Sequence, residues 1–212
     1  MDFAAVDDFL LSHLGGDDAV LKAALARADA AGLPAIAVSA PQGKFLYLLA
    51  RLVGARRILE IGTLAGYSTI WLAYGLADGG HLDTIEIDAG HAAVATANLA
   101  NARLTDRITL HHGAALDVLP TLAGPYDLVF IDADKQNNTA YFDWAVRLGR
   151  PGTLIIVDNV VRGGDILAPM DEKALGTVAL FEALKDDARI EATALQLAGA
   201  KGWDGIVLAR VR

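Results

Sequence analysis

Two short stretches bring together the residue types that a hard cation and a proton transfer require. Phe130-Ile131-Asp132-Ala133-Asp134-Lys135 and Val157-Asp158-Asn159 each carry a carboxylate at the end of an apolar run. If the two runs are strands that lie close in one sheet, Asp132, Asp158 and Asn159 converge. They then offer three oxygen ligands, two of them anionic, which suits Mg²⁺, an octahedral ion that keeps positions open for water or substrate. The plain alternative is two ordinary strand ends, with Asp158 capping the next helix. The occurrence of both stretches in a strongly apolar setting favours the cation. Lys135 stands three residues past Asp132. It is either a general base or a lysine that neutralises the carboxylates, and only geometry separates the two.

A second group of residues has the spacing of a small-ligand site. Ile58-Leu59-Glu60-Ile61 is an apolar run ending near an acid, Gly62 and Gly66 bracket a turn, and a helical pattern begins at Tyr67 and runs to about Asp78. Strand, glycine turn and helix place a ligand over the carboxyl end of a parallel sheet. The glycines let the backbone approach the ligand, and the first helical N–H groups can meet its polar groups. The G-x-x-x-G spacing differs from the G-x-G-x-x-G dinucleotide fingerprint, and a plain strand-to-helix turn explains it equally well. Glu86 stands some 24 residues past Gly62 at the end of another apolar run, where an acid can accept hydrogen bonds from ribose hydroxyls. An acid ending an apolar strand is costly without a partner, which favours that role over a solvated strand end.

The elements that must position these residues follow from periodicity. Phe3, Val6, Leu10 and Leu14 predict an amphipathic helix over 3–14. A second, alanine-rich helix begins at Asp17/Asp18 and reaches about Ala31, and Ser39-Ala40-Pro41-Gln42 reads as a capping box that opens a third over 40–53. From Arg57 onward strands (57–61, 81–87, 107–112, 126–131, 153–157) alternate with helices (67–78, 89–104, 114–119, 137–148, 173–186). Residues 162–172 read as a Gly- and Pro-containing loop. The last two strands, 189–197 and 205–211, leave no room for a helix between them, so they pair as a hairpin and the final strand runs antiparallel. The prediction is an α/β fold, a doubly wound Rossmann-like sheet with helices on both faces. It forms a single domain over 1–212, with a helical extension at 1–55 and the α/β core at 56–212. The extension would serve as a lid, a dimer surface, or both.

Composition narrows the function classes. The chain has 212 residues and a net charge of −8, with 54% apolar and 21% charged residues. That describes a folded chain with no broad basic face for nucleic acid. No uncharged apolar run reaches the roughly 18–20 residues that span a bilayer, and the acidic N-terminus lacks the basic region of a signal peptide. The expectation is a soluble, cytoplasmic protein with no membrane partner. With no cysteine, disulfides, thiolate catalysis and cysteine metal sites are excluded. His91, His111 and His112 lack the spacing of a metal site. His91 falls in the first turn of a helix, and the other two end a strand. Trp71, Tyr74 and Phe130 read as core, Trp144 and Trp203 leave core and cofactor roles open, and Asp186-Asp187 reads as a solvated helix end.

The stretches Glu60-Ile61-Gly62-Thr63-Leu64-Ala65-Gly66-Tyr67-Ser68-Thr69, Phe130-Ile131-Asp132-Ala133-Asp134-Lys135 and Asp158-Asn159 resemble the motifs of the cation-dependent class I O-methyltransferases, the caffeoyl-CoA and catechol O-methyltransferase group. The resemblance runs from about Ser39 to the C-terminus. It implies S-adenosylmethionine as methyl donor, Mg²⁺ or a similar cation, a vicinal dihydroxyphenyl acceptor, a homodimer, and a seven-stranded sheet whose last strand is antiparallel. Position by position it implies that Glu60, Gly62 and Ser68 line the methionine half of the cofactor and that Glu86 holds the ribose. Ala114 would lie at the adenine, with Asp132, Asp158 and Asn159 on the metal and Lys135 as general base. Ser39 falls near a cofactor- or substrate-contacting segment. Loop 162–172 and the turn Lys201-Gly202-Trp203-Asp204 lie in regions that vary in that family and shape the acceptor pocket.

Two rival functions fit the sequence less well. A nicotinamide-dependent oxidoreductase would want G-x-G-x-x-G and a Tyr-x-x-x-Lys pair, and neither occurs. A non-catalytic cofactor-binding protein on the same fold has no structural need for Asp132, Lys135, Asp158 and Asn159 together.

Overall fold

The structure, a computed structural model, describes residues 2–212. Three helices come first: α1 (Phe3–Leu14), α2 (Ala19–Ala30) and α3 (Ala40–Leu52). The core then alternates β1 (Arg57–Ile61), α4 (Tyr67–Gly75), β2 (His81–Glu86), α5 (Ala89–Asn101), β3 (Ile108–His112), α6 (Ala115–Val118), β4 (Leu128–Ile131), α7 (Asn138–Arg147), β5 (Leu154–Asp158) and α8 (Glu172–Leu184). It closes with β6 (Ile190–Gly199) and β7 (Gly202–Val211). The seven strands form one sheet in the order β3-β2-β1-β4-β5-β7-β6. β1 to β5 are parallel, β7 is antiparallel to β5, and β6 is antiparallel to β7. The predicted fold, antiparallel closing hairpin included, is therefore the observed one.

Alternation along each strand feeds two cores, because successive side chains point to opposite faces. Ile58, Leu82, Leu128, Phe130 and Ile156 pack against α2, α3, α4 and α5. Leu59, Ile61, Val129, Ile131, Ile155 and Val157 pack against α7 and α8. Trp71 and Phe130 are core, as predicted, and Trp144 packs at the edge of the second core. The helix starts follow their caps: Asp18, Asp88 and Asp171 each accept the N–H three residues on, at 2.8, 2.9 and 2.7 Å.

Several predicted boundaries shift for local reasons. The helix after the glycine turn ends at Gly75 instead of Asp78. The helix predicted over 114–119 stops at Val118 and continues as a 3₁₀ turn, Leu119–Thr121, that contains Pro120. Loop 162–172 contains a 3₁₀ stretch, Arg162–Leu167. The closing hairpin is longer than predicted at its turn. Its tip has partners that local patterning does not reveal: Asp7 of α1 accepts the Ala200 N–H at 2.8 Å, and Lys201 donates to the Ala37 carbonyl. The pair Asp186-Asp187 is not simply solvated, since Asp187 accepts from Arg189, which also reaches Asp143 at 2.8 Å. No helix among the described residues is long and apolar enough to cross a membrane.

Candidate active site

The sheet order reverses between β1 and β4, the place where an open α/β sheet leaves a crevice outside its carboxyl ends. A cavity of about 780 Å³ opens there, a size suited to a small-molecule site. It is walled by the segments that follow β1 (Gly62–Ala65), β2 (Glu86, Ile87), β3 (Gly113–Leu116) and β4 (Asp132–Asn137). Asn159 and Arg162 after β5, and Ile36–Val38 before α3, complete it.

The two motifs of the sequence are locked together at Gly62. Its φ is +100°, and a Cβ built there would lie 2.1 Å from the Asp132 carbonyl oxygen. The Asp132 N–H in turn donates to Ile61 O at 2.9 Å. Only glycine permits both the backbone angle and the approach.

β4 and β5 are neighbours with Ile131 opposite Val157, so Asp132 and Asp158 emerge side by side. Lys135 Nζ donates to Asp132 Oδ1 at 2.8 Å, and its side chain is only 7% exposed. Asp158 is buried and accepts from Gln42 Nε2 at 2.7 Å and from the Asn159 N–H at 2.8 Å. Burial, then the Asp132 charge, hold the Asp158 carboxyl well above the usual carboxylate range, against the opposing pull of Lys135 and these donors. Asn159 sits in the left-handed region, φ +57°, on the cavity wall. Two crowded carboxylates and an amide make a donor set that favours added positive charge, and a divalent cation fits it. No three His, Asp or Glu side chains gather as a metal cluster among the described residues.

Glu86, buried at the end of β2, accepts the Leu64 and Thr63 N–H groups on Oε2 at 2.7 and 3.2 Å and the Asp88 N–H on Oε1 at 2.9 Å. It lines the cavity, as do Gly62, Ser68, Ala114, Asp132, Lys135 and Asn159. Glu60 stands behind the wall instead. It is fully buried on the α4 face of the sheet and accepts from Ser68 at 2.6 Å, from Thr84 at 2.7 Å and from Thr69. Burial lifts its carboxyl to about 7, while the three hydroxyl donors oppose the shift and Asp132 adds to it. Glu60 thus reaches the cavity through other side chains: directly bonded Ser68, and Thr63 by way of Thr84.

The capping-box reading of Ser39–Gln42 needs correction. Ser39 Oγ does accept the Gln42 N–H, at 3.4 Å, but the Gln42 side chain leaves the cap and goes to Asp158. The acid is buried, and an unpaired oxygen there costs more than a cap bond returns. Sequence reasoning missed this role of Gln42, and it missed Lys201 and Arg162. Burial holds the Lys201 amine below its ordinary value, opposed by the Asp132 and Asp158 charges, and from the hairpin tip Lys201 reaches the carbonyl of Ala37, a residue of the cavity wall. No local pattern marks it, because the contact spans the whole fold. His91 faces Glu86 at 3.6 Å and lines the cavity, and His111 pairs with Asp83 at 2.9 Å. Trp203 is 45% exposed beside Gly164.

Known proteins are similar to this chain over nearly its whole length. A family model described as O-methyltransferase matches residues 14–212. A catechol O-methyltransferase of Mycobacterium tuberculosis is 56% identical over 209 residues, covering 98% of this chain and 95% of the relative. The structure of an O-methyltransferase from Bacillus cereus in complex with SAH superposes with a TM-score of 0.97 at 48% identity, covering 99% of this chain and 98% of that one. The O-methyltransferase TomG from Streptomyces achromogenes, in complex with SAM, gives 0.95 at 45% identity over 99% and 96%. With a family model matched over residues 14–212 and a relative 56% identical over 98% of this chain, the protein belongs to the O-methyltransferase family.

Proposed function

We propose that this protein transfers the methyl group of S-adenosylmethionine to one hydroxyl of a catechol-type small molecule, with a divalent cation at Asp132, Asp158 and Asn159. The observation that carries this reading is the meeting of Asp132, Asn159 and Lys135 Nζ on the wall of the cavity that the glycine turn also lines, with the buried Asp158 carboxyl crowded beside Asp132. The catechol O-methyltransferase relative and the neighbours bound to SAH and SAM support the acceptor and the donor.

In this reading Gly62 and Ser68 border the methionine half of the donor, Glu86 accepts from the ribose, and Ala114 borders the adenine. Glu60 acts through Ser68 and Thr69 as the anchor of the turn. A divalent cation, when bound, makes the catechol hydroxyls more acidic and fixes the direction of the two adjacent oxygens. Lys135, as the free amine, takes the proton of the reacting hydroxyl on Nζ and becomes the ammonium that Asp132 holds. The phenolate oxygen forms a bond to the methyl carbon while the S–CH₃ bond breaks, and its electron pair returns to sulfur, leaving S-adenosylhomocysteine. Asp132 holds Lys135 in place through the 2.8 Å contact, and Gln42 holds Asp158. The protein works in the cytoplasm as one methyltransferase domain per chain, paired as a homodimer. Val6, Phe9, Leu10 and Leu14, exposed on α1, support that helix as part of the dimer surface.

Methyl transfer from labelled S-adenosylmethionine to a panel of vicinal diols and single phenols, with Mg²⁺ and with EDTA, tests the proposal. Metal-dependent transfer to the diols alone is the expected result. Transfer that survives EDTA would remove the cation, and cofactor binding with no transfer to any acceptor would favour a binding protein. Asp132→Ala should abolish transfer while leaving SAH affinity largely intact, and unchanged turnover would sink the assignment.

A further inference from the structure

Arg162 has three features that the proposed reaction leaves unexplained. Its backbone is left-handed, φ +53°, a conformation that strains a non-glycine residue. Its Nε is buried without a hydrogen-bond partner. Its guanidinium joins none of the ion pairs among the described residues. A strained arginine with an unpartnered buried donor is expensive on both counts.

The fold holds it there nonetheless. Asp204 of β7 accepts the Val161 and Arg162 N–H groups on one oxygen, at 3.0 and 2.9 Å. Val161 packs so closely on Gly205 that a Cβ there would lie 2.5 Å from its methyl group. Two glycines, Gly163 (φ +63°) and Gly164 (φ +98°), complete the bend. The result puts Arg162 on the cavity wall three residues past Asn159, on the β5 side, with Lys173 also on that wall. Lys201, which donates to the carbonyl of the cavity-wall residue Ala37, adds a further positive charge nearby. Arg162 and Lys173, with Lys135, are the cations of a wall that also carries the acids Glu86, Asp132 and Asp134.

We propose that Arg162 is the anion-binding residue of the acceptor site and selects dihydroxyphenyl acceptors that carry a carboxylate. This rests on the methyltransferase reading above. The guanidinium fork matches a carboxylate by two parallel hydrogen bonds, which its two terminal nitrogens supply from the cavity wall. Lys173 and Lys201 offset the repulsion that Asp132 and Asp158 exert on an acidic acceptor. A carboxylate could also come from the methionine end of the cofactor, and SAH affinity separates the two sources.

The experiment uses the full-length chain with saturating S-adenosylmethionine and Mg²⁺ and a matched acceptor pair, 3,4-dihydroxybenzoate and its uncharged amide. The wild type should favour the carboxylate by about tenfold or more in kcat/KM. Arg162→Gln should erase that preference, chiefly through KM, with the amide and the SAH dissociation constant within about threefold of wild type. Arg162→Lys should restore part of it. Equal use of both acceptors by the wild type overturns the proposal and needs no variant. So does a preference that survives Arg162→Gln, or a loss confined to SAH affinity. Calorimetry of 3,4-dihydroxybenzoate binding to the SAH complex keeps the two readings apart. Binding that depends on Arg162 without turnover removes the methyl transfer and keeps the anion site, whereas turnover with no charge preference does the reverse.

Discussion

Replacing Glu86 with glutamine tests the cofactor assignment most directly. The carboxylate already accepts three backbone N–H groups, two on Oε2 and one on Oε1. A carboxylate offers about four lone-pair sites, so about one stays open to a ribose hydroxyl while the loop keeps its bonds. Glutamine preserves the shape, removes the charge and turns one acceptor into a donor that must face either the Asp88 N–H or the glycine turn. One charge-assisted hydrogen bond contributes about 1.5–3 kcal/mol. The SAH dissociation constant should therefore rise about 10- to 150-fold, at ~1.4 kcal/mol per decade. The buried N–H left facing a donor costs about 1–3 kcal/mol of stability, a fall in Tm of roughly 2–12 °C for a chain of this size. Calorimetry with SAH, which cannot turn over, gives the first number, and a thermal scan without ligand gives the second. A dissociation constant within twofold of wild type with a lowered Tm would refute the ribose role and leave Glu86 as an anchor of the turn. If neither number moved, the hydrogen-bond account itself would be wrong.

Gly62→Ala should destabilise by about 2–6 kcal/mol, from positive φ (~1–3) and overpacking against the Asp132 carbonyl (~1–3); a urea midpoint equal to wild type would count against the lock between the two motifs. Lys135→Met should lower kcat by about 10²–10⁴-fold with SAH affinity within about threefold, and near-normal kcat would leave Lys135 as a charge partner only. Glu60 gives a pH signature. With its carboxyl raised from 4.5 to about 7, the folded protein keeps a proton that the unfolded chain releases, so Glu60 makes stability fall as pH rises across that window. Urea unfolding at intervals from pH 4.5 to 8 should show a smaller fall in Glu60→Gln, and an identical slope would exclude Glu60 as its source.

Much of the fold was legible because it rests on local signals. Strand alternation, helical periodicity and aspartate caps are short-range properties, and the hairpin at the end followed from chain length alone, since no helix fits between its strands. Boundaries moved for two kinds of reason: a local residue, as Pro120 at the end of α6, or partners from elsewhere in the chain, as Asp7 and Ala37 at the hairpin tip. The candidate site divides the same way. Acids at the ends of apolar strands announce themselves, because an acid is costly beside a core, and so Glu60, Glu86, Asp132 and Asp158 stood out.

The sequence by itself determined which strands end in acids and that a glycine turn precedes the first core helix. Only the tertiary structure decided that β4 and β5 are neighbours, which sets Asp132 beside Asp158. It also put Glu60 behind the wall while Glu86 stands on it, turned Gln42 from a cap toward a buried carboxylate, and aimed Arg162 at the cavity through a strained bend held by Asp204. The physical reason is range. Periodicity and capping act over a few residues, whereas the pairing of buried charges is settled by whichever groups the packed sheet brings within hydrogen-bond distance, however far apart they lie in the chain.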